Sequence, residues 1–442
     1  MDIRLPQYIN DVIDRLESCG YEAYAVGGCV RDMLLGITPH DYDVCTSAPP
    51  DETERVFAGM RVVPTGKKHG TVTLISDQPV EITTYRTDGE YSDGRHPDSV
   101  TFVSDIAGDL ARRDFTVNAM AYSERRGLVD LYGGREDLAS GIIRCVGDPV
   151  KRFSEDALRI LRALRFSSTY GFDIDGDTSR AIHGMKESLS LVSVERIYEE
   201  TTKLLLGKNT AKILGEYADV VGVYIPEIKP MIGFDQRTFH HHLDVWEHTL
   251  CVIGNSRPDK ILRWAALFHD SAKPACFTVD ERGGHFFGHP AAGAEIAKTV
   301  LTRLHSDGDT IRSVCTLIKN HDNYFSGGRV EMRKYISGMG GELARLVLEF
   351  RVYDSMAQSP ETRREKLDAL KRARELYDLV ISEGDCTSLP SLAVNGNDLT
   401  AHGIDEGKRV KEALMYLLNA VMEDRCANAR EELLEYLDAN FN

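Results

Sequence analysis

The sequence predicts an α/β domain at the start of the chain, followed by a long region built from helices. Residues 1 to about 145 mix short apolar runs typical of strands with helical segments and frequent glycines. From about residue 150 onward strand patterns nearly vanish, and apolar residues recur at helical spacing. Because 442 residues exceed the size of one ordinary domain, we expect at least two domains.

Composition narrows the class of protein. A hydrophobic content of 42% and a charged content of 28% are typical of a soluble globular protein, and no apolar run reaches the length of a membrane span. Nine scattered cysteines without a C-x-x-C pair indicate reduced thiols and argue against a cysteine zinc site. The acidic residues near the N-terminus do not fit a secretory signal. We therefore expect a cytoplasmic protein without membrane contact, and nothing in the sequence indicates an obligate protein partner.

The charge balance limits contact with nucleic acid. The formal net charge is −16 at pH 7, which opposes binding to a polyanion unless basic residues are clustered. Residues 151–165 hold five Lys or Arg residues against only two acidic ones. Any contact with RNA is therefore expected to be confined to a patch.

The elements of the α/β domain can be placed in order. A strand at 22–28 ends in a glycine turn, a helix at 30–36 stops at a glycine, and a strand covers 41–46. Residues 70–76 and 80–86 then alternate like two further strands of the same sheet.

The glycine turn and the helix after it form a candidate site for a triphosphate. Gly27 and Gly28 allow the backbone to approach phosphates closely, and a helix N-terminus favours anions. Arg31 adds a fork-shaped donor that suits phosphate oxygens.

Two carboxylates follow this turn. On a strand, Asp41 and Asp43 would point to the same side and could hold one cation. Hard oxygen ligands beside a triphosphate suit Mg²⁺, so we predict that both residues are catalytic magnesium ligands. Glu81 on a neighbouring strand is a weaker candidate for a third carboxylate. The alternative is a glycine turn followed by a surface D-x-D pair.

Five segments then carry a resemblance to a known family. GGCVRD with DYD (27–32 and 41–43) resembles the first motif of class II CCA-adding enzymes and their bacterial poly(A) polymerase relatives, which are polymerase-β-like nucleotidyltransferases. The second to fifth motifs of that family resemble RRDFTVNAMAY (112–122), DLYGG (130–134), EDALRILRALRF (155–166) and SVERIYEE (193–200), in the family order.

The resemblance implies roles for further residues. Gly28 and Arg31 would hold the triphosphate, and Arg113 would contact its phosphates. Asp114 and Asn118 would bond the ribose hydroxyls. For residues 112–114 the alternative is a surface ion pair.

Residues 155–165 are predicted to form one helix with a leucine stripe beside a stripe of arginines. Cytosine and adenine both present an amino donor beside a ring-nitrogen acceptor, so a carboxylate next to a guanidinium pairs with either and repels U or G. The resemblance assigns this selection to Asp156 and Arg159, with Arg162 and Arg165 also lining the nucleotide site. The alternative is a solvated helix face.

The polar segment 85–100 resembles the flexible loop of enzymes that add the whole CCA sequence, which favours addition of the terminal A as well.

A second motif set begins near residue 236 and resembles the HD domain, a helical family of metal-dependent phosphohydrolases. The resemblance implies four metal ligands and two further ligands for a second metal or a phosphate. Imidazole with carboxylate suits Mn, Ni, Co, Fe or Mg. The family often writes H-D-I-G-K where this chain has His269-Asp270-Ser271-Ala272-Lys273, and we expect only a small backbone effect. Residues 240–242, all histidines, are expected to face solvent or to be structural. The alternative is an HD module that only supports bound tRNA. The implied ligands are His248, His269, Asp270 and Asp354, with His289 and His321 as the further two.

The expected architecture is an α/β nucleotidyltransferase (polymerase-β-like) head at 1–145, an all-α neck at 146–230, an HD domain at 231–360 and a helical tail at 361–442. The resemblance implies addition of C, C and A to the 3′ end of tRNA from CTP and ATP, with Mg²⁺ in the head and a second divalent metal in the HD domain. A poly(A) polymerase shares all five motifs, but the acidic balance and the lack of a long basic extension favour a CCA-adding enzyme. The chain could also act mainly as a phosphohydrolase on nucleotides or cyclic phosphates, or bind tRNA without any activity.

Overall fold

The computed structural model describes residues 3–75, 78–89, 91, 99–237, 242–281, 283–323, 325, 327–404 and 407–441. The chain forms two compact units, Met1–Pro226 and Glu227–Asn442. The finer four-part division stays a prediction. Within the described ranges, no helix combines the length and the apolar character needed to cross a membrane.

The first unit is organised around a mixed seven-stranded sheet in the order β3-β4-β5-β2-β1-β8-β9. All neighbours run antiparallel except β2 and β5, which are parallel. Two short pairs, β6 with β7 and β10 with β11, lie outside it. The described strands of this unit are β1 (Ala23–Val26), β2 (Asp43–Thr46), β3 (Arg61–Gly66), β4 (Thr71–Ile75), β5 (Val80–Thr84), β6 (Arg86–Asp88), β7 (Val100–Phe102), β8 (Met120–Ser123), β9 (Gly127–Asp130), β10 (Ile142–Ile143) and β11 (Asp173–Ile174).

Helices surround the sheet and then form a helical region of their own. Their apolar residues recur at spacings of three and four, so one face of each can be buried. In the seventh helix Leu158, Leu161 and Leu164 are buried, which confirms the predicted leucine stripe. The described helices are α1 (Gln7–Ser18), α2 (Gly28–Leu34), α3 (Pro50–Val56), α4 (Ile106–Ala111), α5 (Gly134–Ser140), α6 (Pro149–Glu155), α7 (Leu158–Tyr170), α8 (Gly176–Met185), α9 (Val194–Leu205), α10 (Thr210–Glu216) and α11 (Ala218–Tyr224), with 3₁₀ turns at Lys67–His69, Thr116–Asn118 and Lys186–Leu191.

Two local expectations are corrected. The helix predicted from Glu155 onward is broken, because Asp156 adopts an extended conformation (φ −149°, ψ 106°) between α6 and α7. Its Oδ1 accepts a hydrogen bond of 3.0 Å from the backbone N–H of Leu158, and a short acidic side chain that bonds the backbone in this way favours a helix start over a helix interior. The D-x-D pair is also not wholly on a strand, since β2 begins at Asp43 and Asp41 precedes it.

The second unit is helical with one small hairpin, β12 (Thr278–Asp280) and β13 (Gly283–His285). The hairpin and strand β11, which lies in the predicted neck, correct the all-α expectation locally. An α/β head followed by a mostly helical remainder is confirmed. The remaining described helices are α12 (Val245–Asn255), α13 (Lys260–Phe268), α14 (Lys273–Cys276), α15 (His289–Arg303), α16 (Gly308–Asn320), α17 (Arg329–Met339), α18 (Gly341–Met356), α19 (Pro360–Ser382), α20 (Gly396–Ala401), α21 (Lys408–Met422) and α22 (Arg430–Asn440), with 3₁₀ turns at Pro226–Met231 and Leu389–Ser391.

Two apolar clusters organise the C-terminal part of this unit. One joins α17, α18 and α19 through buried side chains that include Met332, Leu348 and Tyr377. The other gathers α20, α21 and α22 around Leu399 and Leu417. Helix α19, predicted as the start of the tail, therefore packs with the two helices before it.

Candidate nucleotide pocket and metal centre

A cavity of about 570 Å³ opens in the first unit between the sheet and helices α7 and α9. We call it the head pocket. Ten residues singled out from the sequence lie around it, and five others complete the lining. The lining residues are Gly27, Gly28, Arg31, Asp41, Asp43, Arg113, Asp114, Asn118, Arg162, Arg165, Phe166, Thr169, Tyr170, Lys203 and Leu206.

The acidic side of the head pocket is formed by Asp41 and Asp43. The register of β2 and β5 places Asp43 directly across from Glu81. Burial by the surrounding protein, followed by the charge of Glu81, raises the pKa of Asp43 to about 6, although its side chain is exposed to the open pocket. Carboxylates that repel one another in this way are the donor set that a divalent cation neutralises, so the residues present fit Mg²⁺.

The glycine turn allows an arginine to approach the backbone. Gly27 has a φ of +80°, and a Cβ built on it would lie 2.8 Å from Nη1 of Arg113. The Gly27 N–H donates to the carbonyl of Met120 on β8, at 3.0 Å. Its conformation therefore favours glycine, and a side chain at this position would have to displace the end of Arg113.

Arg31 is fixed at the pocket wall by aromatic rings and an amide. Its guanidinium carbon lies 5.0 Å from the ring centre of Phe166 and 4.7 Å from that of Tyr170. Its Nη1 donates to Oδ1 of Asn118 at 2.5 Å. Cation–π contacts and this hydrogen bond hold the guanidinium in place, which suits a phosphate-binding role.

Asp114 and Asn118 are joined in one hydrogen-bond network. Asn118 donates to Oδ1 of Asp114 at 3.0 Å, and Arg162 donates twice to Oδ2 at 2.8 and 2.6 Å. Burial alone would raise the pKa of Asp114, but the charge of Arg162 and the bond from Asn118 hold it well below its usual range. Asp114 is therefore an ionised acceptor that faces the pocket.

Asp109 anchors the second motif, and sequence reasoning missed it. Its side chain is fully buried and accepts from Arg112 at 2.7 Å and from Arg113 at 3.2 Å. These buried contacts with Asp109 exclude the alternative of a surface ion pair within residues 112–114. The i,i+3 and i,i+4 spacing from Asp109 to the two arginines was the available signal.

The third motif, residues 130–134, packs against the turn of the second motif and holds it in position. A Cβ on Gly134 would lie 2.2 Å from the carbonyl oxygen of Thr116, in the turn that carries Asn118. Asp130 accepts from the backbone N–H of Gly134 at 2.8 Å and so fixes the start of α5. The motif thus has a positioning function rather than a place in the pocket lining.

The structure does not bring Asp156 and Arg159 together. Asp156 pairs with Arg196 of the fifth motif at 2.8 Å, and Arg159 pairs with Glu155 at 2.6 Å. Neither residue lines the head pocket. Their role in base selection stays a prediction, and the predicted shared helix face is wrong because the helix breaks at Asp156.

The remaining arginines of this segment are also neutralised by acids. Arg165 pairs with the buried Glu200 at 3.0 Å and stacks 4.1 Å from the ring centre of Phe166. Of the basic residues at 151–165, Arg162 and Arg165 line the head pocket and pair with acidic residues, whereas Arg159 lies outside the lining. Aromatic residues at positions 166 and 170 were missed because their i,i+4 spacing is also that of ordinary core residues.

A second site lies in the other unit, where four histidines and two aspartates meet. We call this set the His/Asp centre. It consists of two neighbouring clusters in which every potential ligand atom lies within 4.8 Å of the others in its cluster. The first contains His248, His269 and Asp354, and the second contains Asp270, His289 and His321.

The histidine rings are oriented from behind. Nδ1 of His269, His289 and His321 lies 2.9, 2.8 and 2.7 Å from the backbone carbonyl oxygen of the residue three positions earlier. A protonated Nδ1 leaves the unprotonated Nε2 free to face the centre, as metal-binding histidines require. The Nε2 atoms of His289 and His321 are 3.3 Å apart.

The centre contains buried polar atoms without hydrogen bonds. Nε2 of His269 and Oδ1 of Asp270 have no hydrogen-bond partner among the described residues, although both side chains are almost fully buried. Asp270 also lies between the clusters, 3.3 Å from Nε2 of His269 and 3.5 Å from Nε2 of His289. Lys273 Nζ lies 2.7 Å from Oδ2 of Asp270 and already balances part of its charge. The buried atoms that stay unbonded still fit a divalent metal, because such atoms are costly to bury without a partner.

The departures from the HD pattern leave this geometry intact. Ala272, at the glycine position of the family pattern, has a φ of −89°, which any residue adopts. Of the histidine run, residues 240 and 241 lie outside the described residues, and His242 is exposed.

The sheet, the glycine turn and the carboxylates define the first unit as a nucleotidyltransferase domain, and comparison with known proteins agrees. Residues 23–144 match the family "Poly A polymerase head domain", 171–218 match "Probable RNA and SrmB- binding site of polymerase A", and 291–437 match the family of tRNA nucleotidyltransferase domain 2. A crystal structure of the Bacillus stearothermophilus CCA-adding enzyme with CTP is 30% identical with a TM-score of 0.73, covering 98% of this chain and 96% of that one. The chain belongs to the class II CCA-adding enzyme family.

Curated relatives match over a shorter stretch. CCA-adding enzymes of Ligilactobacillus salivarius and Leuconostoc mesenteroides are 41% and 46% identical over 53% and 50% of this chain. The matches span 60% and 56% of those proteins, so the chain aligns with little more than half the length of the curated relatives. A Thermotoga maritima CCA-adding enzyme complexed with tRNA_CCA shares the fold at 22% identity, with a TM-score of 0.60, covering the whole of this chain and 97% of that one.

Proposed function

We propose that this chain adds C, C and A to the 3′ end of tRNA, using CTP and ATP. The observation that carries the proposal is the head pocket, where three aspartates and four arginines line one cavity of about 570 Å³, a volume within the usual range of small-molecule pockets. The relatives that match the chain are named CCA-adding enzymes, and one of them was solved with CTP.

Different residues of the head pocket would bind different parts of the nucleotide. Arg31 and Arg113 would bind the triphosphate beside the glycine turn, where the backbone leaves room for it. Asp114 would accept hydrogen bonds from the ribose hydroxyls, and Asn118 would donate to them. A deoxyribose lacks the 2′-hydroxyl and would lose part of these contacts. Mg²⁺ held by Asp41 and Asp43 would favour the ionised 3′-hydroxyl and neutralise the charge on pyrophosphate.

The proposed reaction is transfer of a nucleotide to the RNA 3′ end, and it needs no template strand. The 3′-oxygen of the RNA forms a bond to the α-phosphorus of the nucleotide, the bond from that phosphorus to the bridging oxygen breaks, and pyrophosphate leaves. The hydroxyl proton passes to water. Arg31 and Arg113 would stabilise the negative charge that develops on the leaving pyrophosphate.

Base selection requires an exchange of partners. In the structure Asp156 is occupied by Arg196, and Arg159 by Glu155. We propose that both pairs open when a nucleotide enters, so that the carboxylate accepts from the base amino group and the guanidinium donates to the ring nitrogen. Asp156 lies at a helix break, where a change of backbone direction disturbs few helical hydrogen bonds.

The test is incorporation of labelled CTP and ATP on tRNA that ends before its CCA. We expect three added nucleotides and then a stop, with tRNA that already ends in CCA as the control. A long run of A would identify a poly(A) polymerase instead. Absence of any incorporation would leave only tRNA binding.

The His/Asp centre favours a second activity. Its two clusters and unbonded buried atoms support binding of Mn, Ni, Co, Fe or Mg. We propose hydrolysis of a phosphoester such as a 2′,3′-cyclic nucleotide, in which water oxygen bonds to phosphorus, the ester P–O bond breaks and a proton ends on the released alcohol. Metal content and hydrolysis measured on the purified chain test it. If no divalent metal elicits hydrolysis, the domain serves as support for tRNA.

We also propose that the protein works in the cytoplasm, since all nine cysteines are free thiols in the structure.

A further inference from the structure

A small cavity of about 160 Å³ lies in the second unit beside the His/Asp centre. We call it the side cavity. It is lined by His321 from one metal cluster and by Asp354 from the other. A molecule in the side cavity would therefore touch ligands of both clusters at once.

Two cationic side chains line the same cavity, Arg351 on α18 and Lys366 on α19. Lys366 Nζ donates to Oε1 of Gln358 at 2.5 Å, and Gln358 Nε2 donates to Oδ2 of Asp354 at 2.8 Å. Gln358 is buried, so one fixed amide connects the ammonium group to a metal ligand. The ammonium group is held at the edge of the centre rather than free in solvent.

Apolar side chains share the lining with these cations. Phe325, Ala369 and Leu370 line the cavity, and Leu370 is buried in the core of this part of the unit. Asp322 adds a carboxylate, so an anion would bind here only beside a metal-loaded centre. Cations and apolar carbon in one cavity then suit an anion joined to a small organic group.

The volume limits how large that group can be. Pockets that enclose drug-sized ligands begin at about 300 Å³. A phosphate with part of a sugar fits this space, whereas a whole nucleotide does not.

We infer that the side cavity takes the phosphate end of a phosphoester, bound by Arg351 and Lys366, with the ester group against Phe325 and Leu370 and any nucleobase left outside. The inference rests on the proposed second activity, because the same phosphate would contact the metals. It adds that this centre selects phosphate and sugar and does not discriminate between bases.

Calorimetric titration of the metal-loaded chain tests this inference without relying on turnover. Inorganic phosphate and ribose 5-phosphate are the probes, and metal content is measured on every sample first. Lys366→Met should weaken both probes about tenfold, as expected for loss of one charged hydrogen bond. The matched control is Lys371→Met, an exposed lysine on the same helix outside the cavity lining.

A second variant tests the size limit. Ala369→Leu narrows the cavity at one of its apolar positions, so it should weaken ribose 5-phosphate while inorganic phosphate binds as in the wild type. The 2′,3′-cyclic phosphates of cytidine and adenosine should bind with equal affinity.

The outcomes separate the two proposals. If no metal binds, the second activity fails, and phosphate binding that still depends on Lys366 would retain the side cavity as an anion site. If metal binds and Lys366→Met matches Lys371→Met, the side cavity is not the phosphate site and the inference is overturned. A strong preference for one cyclic nucleotide over the other would also overturn it.

Discussion

Replacing Glu81 with Gln should move the pH dependence of metal use in the head pocket. The pKa of Asp43 is raised from 3.8 to about 6, with burial as the first cause and the Glu81 charge as the second. A protonated Asp43 cannot bind a cation, so the wild type should need more Mg²⁺ as the pH falls through about 6.

The size of the expected shift follows from the sheet. Glu81 lies directly across from Asp43 on adjacent strands, which are about 5 Å apart. Two like charges at that distance repel by about 0.8 kcal/mol in water and about 3 kcal/mol at an effective dielectric of 20. Because Asp43 faces the open pocket, the lower end applies, and Glu81→Gln should lower its pKa by roughly 0.5 to 1 unit.

The assay is CMP incorporation between pH 5 and 8, with the Mg²⁺ concentration for half-maximal rate recorded at each pH. Glu81→Gln should move the acidic limb downward by the amount given above, while Glu136→Gln, an exposed glutamate on α5, should leave it in place. If the acidic limb of the pH profile stays in place in Glu81→Gln, the charge of Glu81 does not raise the pKa of Asp43. Weaker metal binding at every pH would instead show that Glu81 is itself a ligand.

Three further predictions concern other parts of the chain. Gly27→Ala should lose about 1 kcal/mol of stability because of its positive φ, and it should raise KM for CTP because its methyl group contacts Arg113. The control is Gly20→Ala, which has a similar φ and open space around it. The unfolding temperature should fall in both variants, and KM should change only in Gly27→Ala. Asp156→Ala should slow CTP and ATP use and let UTP or GTP compete in single-nucleotide incorporation, since each mismatched polar contact costs roughly 1–3 kcal/mol, and unchanged C and A selectivity would remove Asp156 from base selection. Asp270→Ala should lose bound metal and phosphoester hydrolysis but keep nucleotide addition, and retention of metal by mass spectrometry would exclude Asp270 as a bridging ligand.

The head pocket could be assembled from the sequence because its residues lie in short motifs around glycines and charged pairs. Gly27, Arg31 and Asp43 come from one continuous stretch, and their strand–turn–helix–strand context is visible in the apolar pattern. The His/Asp centre was accessible for a different reason. Four of its six ligands are histidines, of which the chain has only 14, and all six stand in a recognisable order and meet in the structure.

Other features depend on contacts that no local pattern contains. The break at Asp156 was missed because residues 155–165 have strong helical periodicity. The ion pair that Asp156 makes outside the helix is with Arg196, forty residues later in the chain. The stacking of Arg31 on Phe166 and Tyr170 likewise joins α2 to α7 across the fold. Helix boundaries and cation–π partners of this kind are set by tertiary packing, which propensity cannot supply.

The most direct test of nucleotide addition compares the wild type with the double variant Asp41→Ala/Asp43→Ala on tRNA that ends before its CCA. The wild type should extend the tRNA by C, C and A, and sequencing of the product should show that order. The double variant should add nothing while its affinity for tRNA stays close to that of the wild type, because RNA affinity comes mostly from phosphate contacts elsewhere. Incorporation near the wild-type rate in the double variant would contradict the assignment of the head pocket as the catalytic site.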